Sequence, residues 1–478
     1  MTSDPPQIAI LGGGLAGMAA AVVLADRGLR IELLEAKRRL GGRAGSYVDR
    51  QTGESIDHCQ HVAMGCCTNY LDFCRRTGID DLFARHQTLH FLVPDGRRSD
   101  FRPTSWLPAP LHLAPALLRL KHLSLSDKLA IARAMFQLMR AKRGSGLIVS
   151  DWLRQQRQSE RAIERFWKPV LESALAESLD RASLAAARKV FLDGFLGHPD
   201  ACHVLVPCVS LGTLYDRVAA RLVEQGVQIR LETPVKRIEQ AATGSKLIIH
   251  AATRTGPAAS AEFDFVILAV PWNQAPELIE PDLLAYLPQL AAARLHSAPI
   301  TSVHLWFDRP ITDLAHAVLV GRLSQWVFRR TDFQSVRNEI AQAGRIGIPS
   351  YYQVVISASH ALAGRPREAI RDEVLADLAT AFPATQSATL LHWQIIHDQD
   401  AVFSCRPGSD DLRPPQATPI PNLILAGDWT RTGWPATMEG AVRSGYLAAE
   451  ALLVHLGRPE KLLVPDLPKG WLVKLLFG

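Results

Sequence analysis

No run of about 18 consecutive apolar residues occurs in the 478-residue sequence, so a membrane-crossing helix is not expected. Cysteine is scarce and odd in number, seven in all, which argues for free thiols rather than a disulfide framework. Cys59, Cys66, Cys67 and Cys74 do crowd together beside His58 and His61, which raises the question of zinc. None of them forms a Cys-x-x-Cys pair, and Cys67 to Cys74 with Leu71 reads as one apolar face of a helix, so buried thiols and no metal are expected. The net charge is only +6, aromatics are 7%, and Lys and Arg form no basic block, which makes nucleic acid an unexpected partner. A mildly basic face toward anionic lipid stays open. The opening MTSDPPQ has neither a basic nor an apolar leader segment, so no signal peptide and a cytoplasmic location are expected. Repeats and low-complexity tracts are absent as well. With 47% hydrophobic residues the chain is globular, and its length exceeds one ordinary domain, so two interleaved domains are expected.

The chain is organised around its first forty-odd residues. Ile8-Ala9-Ile10-Leu11 suits a buried parallel strand and runs into Gly12-Gly13-Gly14-Leu15-Ala16-Gly17, a G-x-G-x-x-G turn. Gly12 permits the tight turn, Gly14 allows close approach of a pyrophosphate, and Gly17 lets the next helix pack on the strand. That helix, roughly Leu15 to Arg27, stops at Gly28, and its first N–H groups, at Leu15 and Ala16, are offered to phosphate oxygens. The strand Arg30 to Leu34 ends on Glu35 and Ala36, where a carboxylate can hold a ribose hydroxyl pair and repel a 2′-phosphate. Arg38-Arg39-Leu40-Gly41-Gly42-Arg43 then adds backbone donors and a bidentate cation beside the pyrophosphate.

Further along, Ser46 to Asp49 reads as a strand, and Ile56 to Val62 is a polar cluster in which Asp57, Gln60 and His61 are either site residues or a capped turn with a core histidine. Trp106 to Met139 mixes Leu, Trp, Met and Phe with Pro and a few cations, with Ser126-Asp127 expected to cap a helix over Lys128 to Met139. This segment either covers a core or dips into a bilayer surface. Ser150 to Leu196 reads as helical, anchored by Trp152, Phe166, Trp167, Phe191 and Phe195. A helix ending at Gly226, a strand Gln228 to Glu232 and the stretch Thr233 to Ile238 return the chain to the nucleotide unit. Thr301 to about Asp400 reads as an antiparallel floor with one helix, Arg365 to Phe382. Near the end, the buried strand Leu423 to Ala426 carries Gly427 and Asp428 at its carboxyl end, and Thr437-Met438-Glu439-Gly440 opens a long helix. A helix amino end there would stabilise a nearby negative charge by roughly 0.3 to 2 kcal/mol.

The glycine turn, the GGR element and the late Gly-Asp element together resemble the flavin amine oxidase and phytoene desaturase superfamily. DHCQHVAMGCCTNYL (57–71), the stretch from Ala401 and LILAGDWTRTGWPATMEGAVRSG (423–445) resemble more closely its hydroxysqualene dehydroxylase branch, the squalene-associated FAD-dependent desaturases. The resemblance implies an α/β fold: a Rossmann-like FAD-binding domain of the GR2, amine oxidase type (1–62, 200–290, 415–457) interleaved with an α+β substrate domain (63–199, 291–414) whose segment 105–140 faces a membrane. It implies FAD bound by Gly12, Gly14, Leu15, Ala16 and Gly17, by Glu35, Ala36 and Arg38, and by Gly41, Gly42 and Arg43. Val235 would meet the adenine through its backbone, and Gly427, Asp428, Thr437, Met438 and Glu439 would close the flavin end. The implied reaction is reductive loss of the allylic hydroxyl of hydroxysqualene to give squalene in hopanoid biosynthesis, with His61 or Asp57 as proton donor. NAD(P)H or a reductase would supply electrons from outside, because no second dinucleotide fingerprint is evident. The enzyme would sit peripherally at the inner face of the cytoplasmic membrane, with Trp471 to Gly478 as a second contact or a packed tail. An oxidative isoprenoid desaturase shares the scaffold and the apolar substrate; an amine oxidase commonly has an aromatic cage residue where this chain has Thr437. A flavin-stabilised protein without catalysis is the non-enzymatic alternative.

Overall fold

The computed structural model describes residues 5–50, 53–141, 146–242, 244–252, 259–288, 290, 295–330 and 350–477. Parts of the expected ends of the chain, 1–4 and 478, lie outside the described residues.

Five short strands form a wholly parallel sheet in the order Gln228–Arg230, Arg30–Leu34, Gln7–Leu11, Phe265–Leu268, Leu423–Leu425. Gln7–Leu11, Phe265–Leu268 and Leu423–Leu425 are nearly continuous apolar runs, as strands covered on both faces require, whereas the edge strand Gln228–Arg230 exposes both of its ends. The first helix, Leu15–Ala25, is buried along its whole length. It lies beneath the last long helix, Met438–His455, where a Cβ added at Gly445 would stand 2.3 Å from the Ala16 carbonyl oxygen. Only a residue without a side chain lets the two backbones approach so closely. The two ends of the chain are thereby packed into one layer.

A second sheet has seven strands, in the order Leu390–Phe403, Ser297–Phe307, Ser350–Ser357, Trp326–Arg330, His316–Leu319, Leu89–Leu92, Arg98–Phe101. It is antiparallel except where His316–Leu319 runs parallel to Leu89–Leu92. Its period of two separates the faces. Val303, Leu305, Phe307, Val354 and Ile356 pack with Ile370, Val374 and Leu378 of the helix Arg367–Ala381. Ser302, His304, Trp306, Tyr351 and Gln353 occupy the opposite face, where the segment after Asp57 lies: the Gln353 amide donates to Ser302 Oγ at 2.9 Å and reaches the Asp57 carbonyl at 3.5 Å.

Between these layers sits a helical cap. Two of its turns are π-helical, Ile163–Trp167 and Leu192–Leu196. They bring Phe166 against Phe191 with ring centroids 6.2 Å apart and Phe195 against Phe191 at 6.0 Å. Two boundaries differ from expectation. The helix Leu125–Arg140 is capped by Ser124, whose hydroxyl accepts from the Asp127 N–H while the Asp127 carboxylate accepts from the Ser124 N–H. This reciprocal arrangement satisfies two end donors at once, which a cap at Ser126 could not. The strand expected to reach Glu232 ends at Arg230, because Glu232 turns at φ +52° and donates its N–H to the Lys37 carbonyl instead.

Candidate flavin site

The groove lies at the carboxyl ends of the parallel strands, where open α/β sheets bind ligands. Gly12 sits at φ +110°, and a Cβ there would be 2.6 Å from the Ala269 carbonyl oxygen. Gly14 has no neighbour closer to such a Cβ than the Gly42 Cα, at 4.0 Å, so the two glycine elements face each other as bare backbone. Gly41 locks them together by donating its N–H to the Gly13 carbonyl at 2.8 Å. The first helix starts here at Gly14 with no capping side chain and no acid in its first turn. Its leading N–H groups at Leu15 and Ala16 thus suit a pyrophosphate, and the side-chain-free strip beside Gly14 and Gly42 is the space one would fill.

At the adenosine end Glu35 is buried, its carboxylate fixed by the N–H groups of Gly13 (2.7 Å) and Lys37 (2.8 Å). Thr233 donates to the Glu35 carbonyl, which brings Val235 alongside. Ala36 is exposed at the same edge. Arg38 is directed outward, with its Nε 2.9 Å from Glu232. At the other end Arg43 pairs with the buried carboxylate of Asp428, donates to the Ala401 carbonyl at 3.2 Å and lies 5.3 Å from the Trp272 ring centroid. Gly427 precedes Asp428 and donates its N–H to Ser444 Oγ of the last helix at 2.8 Å. Thr437 caps that helix, its hydroxyl accepting from the Gly440 N–H at 3.1 Å, with Met438 next to it. The Glu439 side chain turns away from the groove. It is fully buried and accepts from Tyr70 N–H (2.8 Å) and Asn69 Nδ2 (2.9 Å), and burial raises its pKa. A contact of Glu439 with the cofactor would therefore be through its backbone.

The two alternative proton donors, His61 and Asp57, lie close together but are held differently. Asp57 is buried and accepts in every contact: from Ser46 Oγ (2.6 Å), from the Leu211 N–H at the start of another helix (2.8 Å) and from Arg330 Nη1 (2.9 Å). Arg330 also donates to Gln60 Oε1 at 2.6 Å, and Gln60 Nε2 donates to the His61 carbonyl. His61 Nδ1 donates to the Cys59 carbonyl at 2.9 Å, which leaves Nε2 without a side-chain or backbone partner among the described residues. Burial is the main cause that holds its pKa below the usual 6.5, and the nearby Arg43 adds to it. Arg330 is absent from the sequence reading. Its one signal was the period of two in Trp326–Arg330, which puts Trp326, Phe328 and Arg330 on the same face.

The four clustered cysteines include two that are buried, Cys66 and Cys74; the hydrogen bond with Cys67 and then burial raise the Cys66 thiol, while burial raises Cys74 and lifts Cys59 to about 12. Apolar side chains continue from the flavin end into the cap: Val270 and Ala436 join the cluster that holds Phe166, Val170, Val190 and Phe195.

The profile of the flavin containing amine oxidoreductase family matches residues 15–453. The chain is 28% identical to the hydroxysqualene dehydroxylase of Rhodopseudomonas palustris, over 93% of this chain and 97% of that one. It is likewise 28% identical to the 15-cis-phytoene desaturase of Solanum lycopersicum, over 96% of this chain and 80% of the other. Among solved structures, cyclohexylamine oxidase from Brevibacterium oxydans superposes with a TM-score of 0.65 at 19% identity, covering 95% of this chain and all of that one, a likeness of fold. With a family profile matching residues 15–453, the chain belongs to the flavin containing amine oxidoreductases and is an FAD-dependent oxidoreductase.

Proposed function

We propose that the protein reductively dehydroxylates hydroxysqualene to squalene. The observation that carries this reading is that Val270 and Ala436 belong to the same apolar cluster as the aromatic cap, surroundings that suit a hydrocarbon chain rather than a small cationic amine. Each buried CH₂ contributes about 0.8 kcal/mol, so such a substrate is held with few polar contacts. Thr437 agrees with it, because the position is spent on capping a helix. The near full-length similarity to hydroxysqualene dehydroxylases supports the same reaction.

FAD, held by the glycine elements and Glu35, would when bound and reduced supply the two electrons and the hydrogen that replaces hydroxide. In balance, the substrate's carbon–oxygen bond breaks, a carbon–hydrogen bond forms, and hydroxide leaves as water with one proton. Of the two expected donors, His61 is the one with a nitrogen directed away from its backbone anchor, so it is proposed to meet the departing oxygen. Asp57, paired with Arg330 and accepting on both oxygens, positions the 57–61 segment. The reductant would be NAD(P)H or a reductase, and the location the inner face of the cytoplasmic membrane.

The test is anaerobic. Pre-reduced enzyme mixed with hydroxysqualene should regain the spectrum of oxidised flavin and yield squalene, and a reduced enzyme that ignores the alcohol would sink the proposal. The second reading, an isoprenoid desaturase, is favoured by the similarity to phytoene desaturase. It requires the reverse electron flow, so bleaching of oxidised enzyme by squalene or phytoene would select it.

A further inference from the structure

A cavity of about 360 Å³ opens between the cap helix Lys168–Leu175, the turn after the strand His316–Leu319 and the helix Arg367–Ala381. None of the residues that line it belongs to the flavin groove. Four carboxylates line it, Glu164, Glu172, Glu373 and Asp377, against two cations, Lys168 and Arg322. Three of the four acids already have a cation. Lys168 Nζ stands 3.0 Å from Glu164, Arg322 Nη1 3.1 Å from Asp377, and Arg365 Nη2 2.6 Å from Glu373.

Glu172 differs from the other three. It is only 6% exposed, and no cation pairs with it among the described residues. Its Oε2 accepts from Gln325 Nε2 at a long 3.4 Å, and that amide also donates to the Ser357 carbonyl at 3.1 Å. Its Oε1 has no hydrogen-bond partner among the described residues. A buried carboxylate in this state is costly. Burial pushes the Glu172 carboxyl up to about 7, against the pull of Lys168. Lys168 lies one helical turn earlier but is engaged by both oxygens of Glu164, at 3.0 and 3.2 Å. The cavity thus holds one uncompensated acid, beside an apolar wall made by Leu319 and Leu323.

We propose that this cavity is a second ligand site, for a short primary alkylammonium whose charged end meets Glu172 while its chain lies along Leu319 and Leu323. An ammonium brings three donors and a positive charge to a carboxylate with an oxygen to spare. A bare metal ion does not fit, because no group of three or more His, Cys, Asp or Glu among the described residues is placed to hold one. An anion would meet four carboxylates, and one uncompensated acid calls for one cation. The volume stands near the lower end of the roughly 300–1,000 Å³ of small-molecule sites, which suits a chain of a few carbons. Leu171 and Leu175 of the same helix are buried in the core cluster that holds Phe191, so a ligand on Glu172 braces the cap.

The experiment is calorimetric titration of the FAD-loaded full chain with n-butylammonium chloride, with no isoprenoid present. It is therefore read independently of the proposed reaction. Wild type should bind about tenfold more tightly at pH 8 than at pH 6, because a carboxyl that titrates near 7 is mostly ionised at the higher pH and mostly neutral at the lower. Glu172→Gln should weaken binding about tenfold or more at pH 8 and abolish the pH dependence, while bound FAD shows that the variant folds. Lys168→Met removes the competing cation from a partly exposed position and should tighten binding several-fold, which also decides the matter if Glu172→Gln does not fold. Wild type that gives no heat of binding at millimolar ligand overturns the inference, as does a Glu172→Gln variant that binds like wild type. Weaker binding by Lys168→Met, or inorganic phosphate bound in place of the amine, would assign the cavity to an anion and overturn the ammonium assignment.

Discussion

His61 is neutral at pH 7, since burial holds its pKa below 6.5, and its Nδ1 proton is committed to Cys59. A neutral ring so anchored presents Nε2 as an acceptor, so donation requires the imidazolium. In single-turnover mixing of reduced enzyme with hydroxysqualene, the rate should therefore rise as pH falls below about 6.5 and level off only beneath the lowered pKa. His61→Gln with FAD bound should be slower by roughly 10² and lack this rise. A variant that keeps the wild-type profile removes His61 from proton transfer. Arg330 calls for a stability measurement. Its ion pair with Asp57 is buried on both sides, so Arg330→Met leaves a carboxylate without its cation and should cost about 3–5 kcal/mol in urea unfolding. Adding Asp57→Asn should recover part of that loss, and a strictly additive double mutant would contradict the coupling. Neither partner suggests the other in the sequence, 273 positions apart, although each lies in a readable strand pattern.

At the scale of elements, the first and last helices carry the cofactor groove, and their contact depends on Gly445. The added Cβ of Gly445→Ala would meet the Ala16 carbonyl at 2.3 Å and the Ala20 nitrogen at 2.9 Å, both backbone atoms that cannot rotate aside. Overpacking of this kind costs roughly 1–3 kcal/mol. It also shifts the helix that carries Ser444, the acceptor of the Gly427 N–H, so the variant should lose stability and FAD together. An unchanged unfolding midpoint with full FAD occupancy would show that the helices separate without consequence. The glycine turn, the Glu35 position and the Gly-Asp strand end were legible as local patterns. The register of the seven strands was legible only as a class of sheet, because pairing across it joins segments as remote as 89–92 and 316–319. Cap geometry fell between the two: a Ser-x-x-Asp box was present, its serine two residues earlier than the Ser126 expected to cap.

The whole molecule should be sensitive to mild acid. His112, His122 and His316 are pushed down to about 4 and His304 to about 3, mainly by burial. In the unfolded chain these rings take up protons near 6.5, so the unfolded state binds more protons below that pH. Stability is thus intact above about 6.5 and falls toward pH 4. Glu172, raised to about 7 by burial, works in the opposite direction, as do Glu32 and Glu439, but His61, His86 and His203 are lowered as well, so seven histidines stand against three carboxyls. The unfolding midpoint should drop between pH 7 and 5, and a midpoint that rises over this range would contradict the sign.

By itself the sequence determined what short-range physics decides. Glycine conformations at 12–17 and 41–42, the apolar runs of the buried strands, helix termini and the carboxylate at a strand end are set by a few neighbouring residues, and they sufficed for the fold class and FAD. The tertiary structure alone decided which charges are shared: Asp57 with Arg330, and Glu439 with Asn69 and Tyr70 instead of the groove. It also decided that the closing helix Trp471–Phe477 packs beside Met139 and turns Trp471 and Leu475 outward. Burial sets the energy of such groups, and burial depends on topology that brings residues hundreds of positions apart into contact.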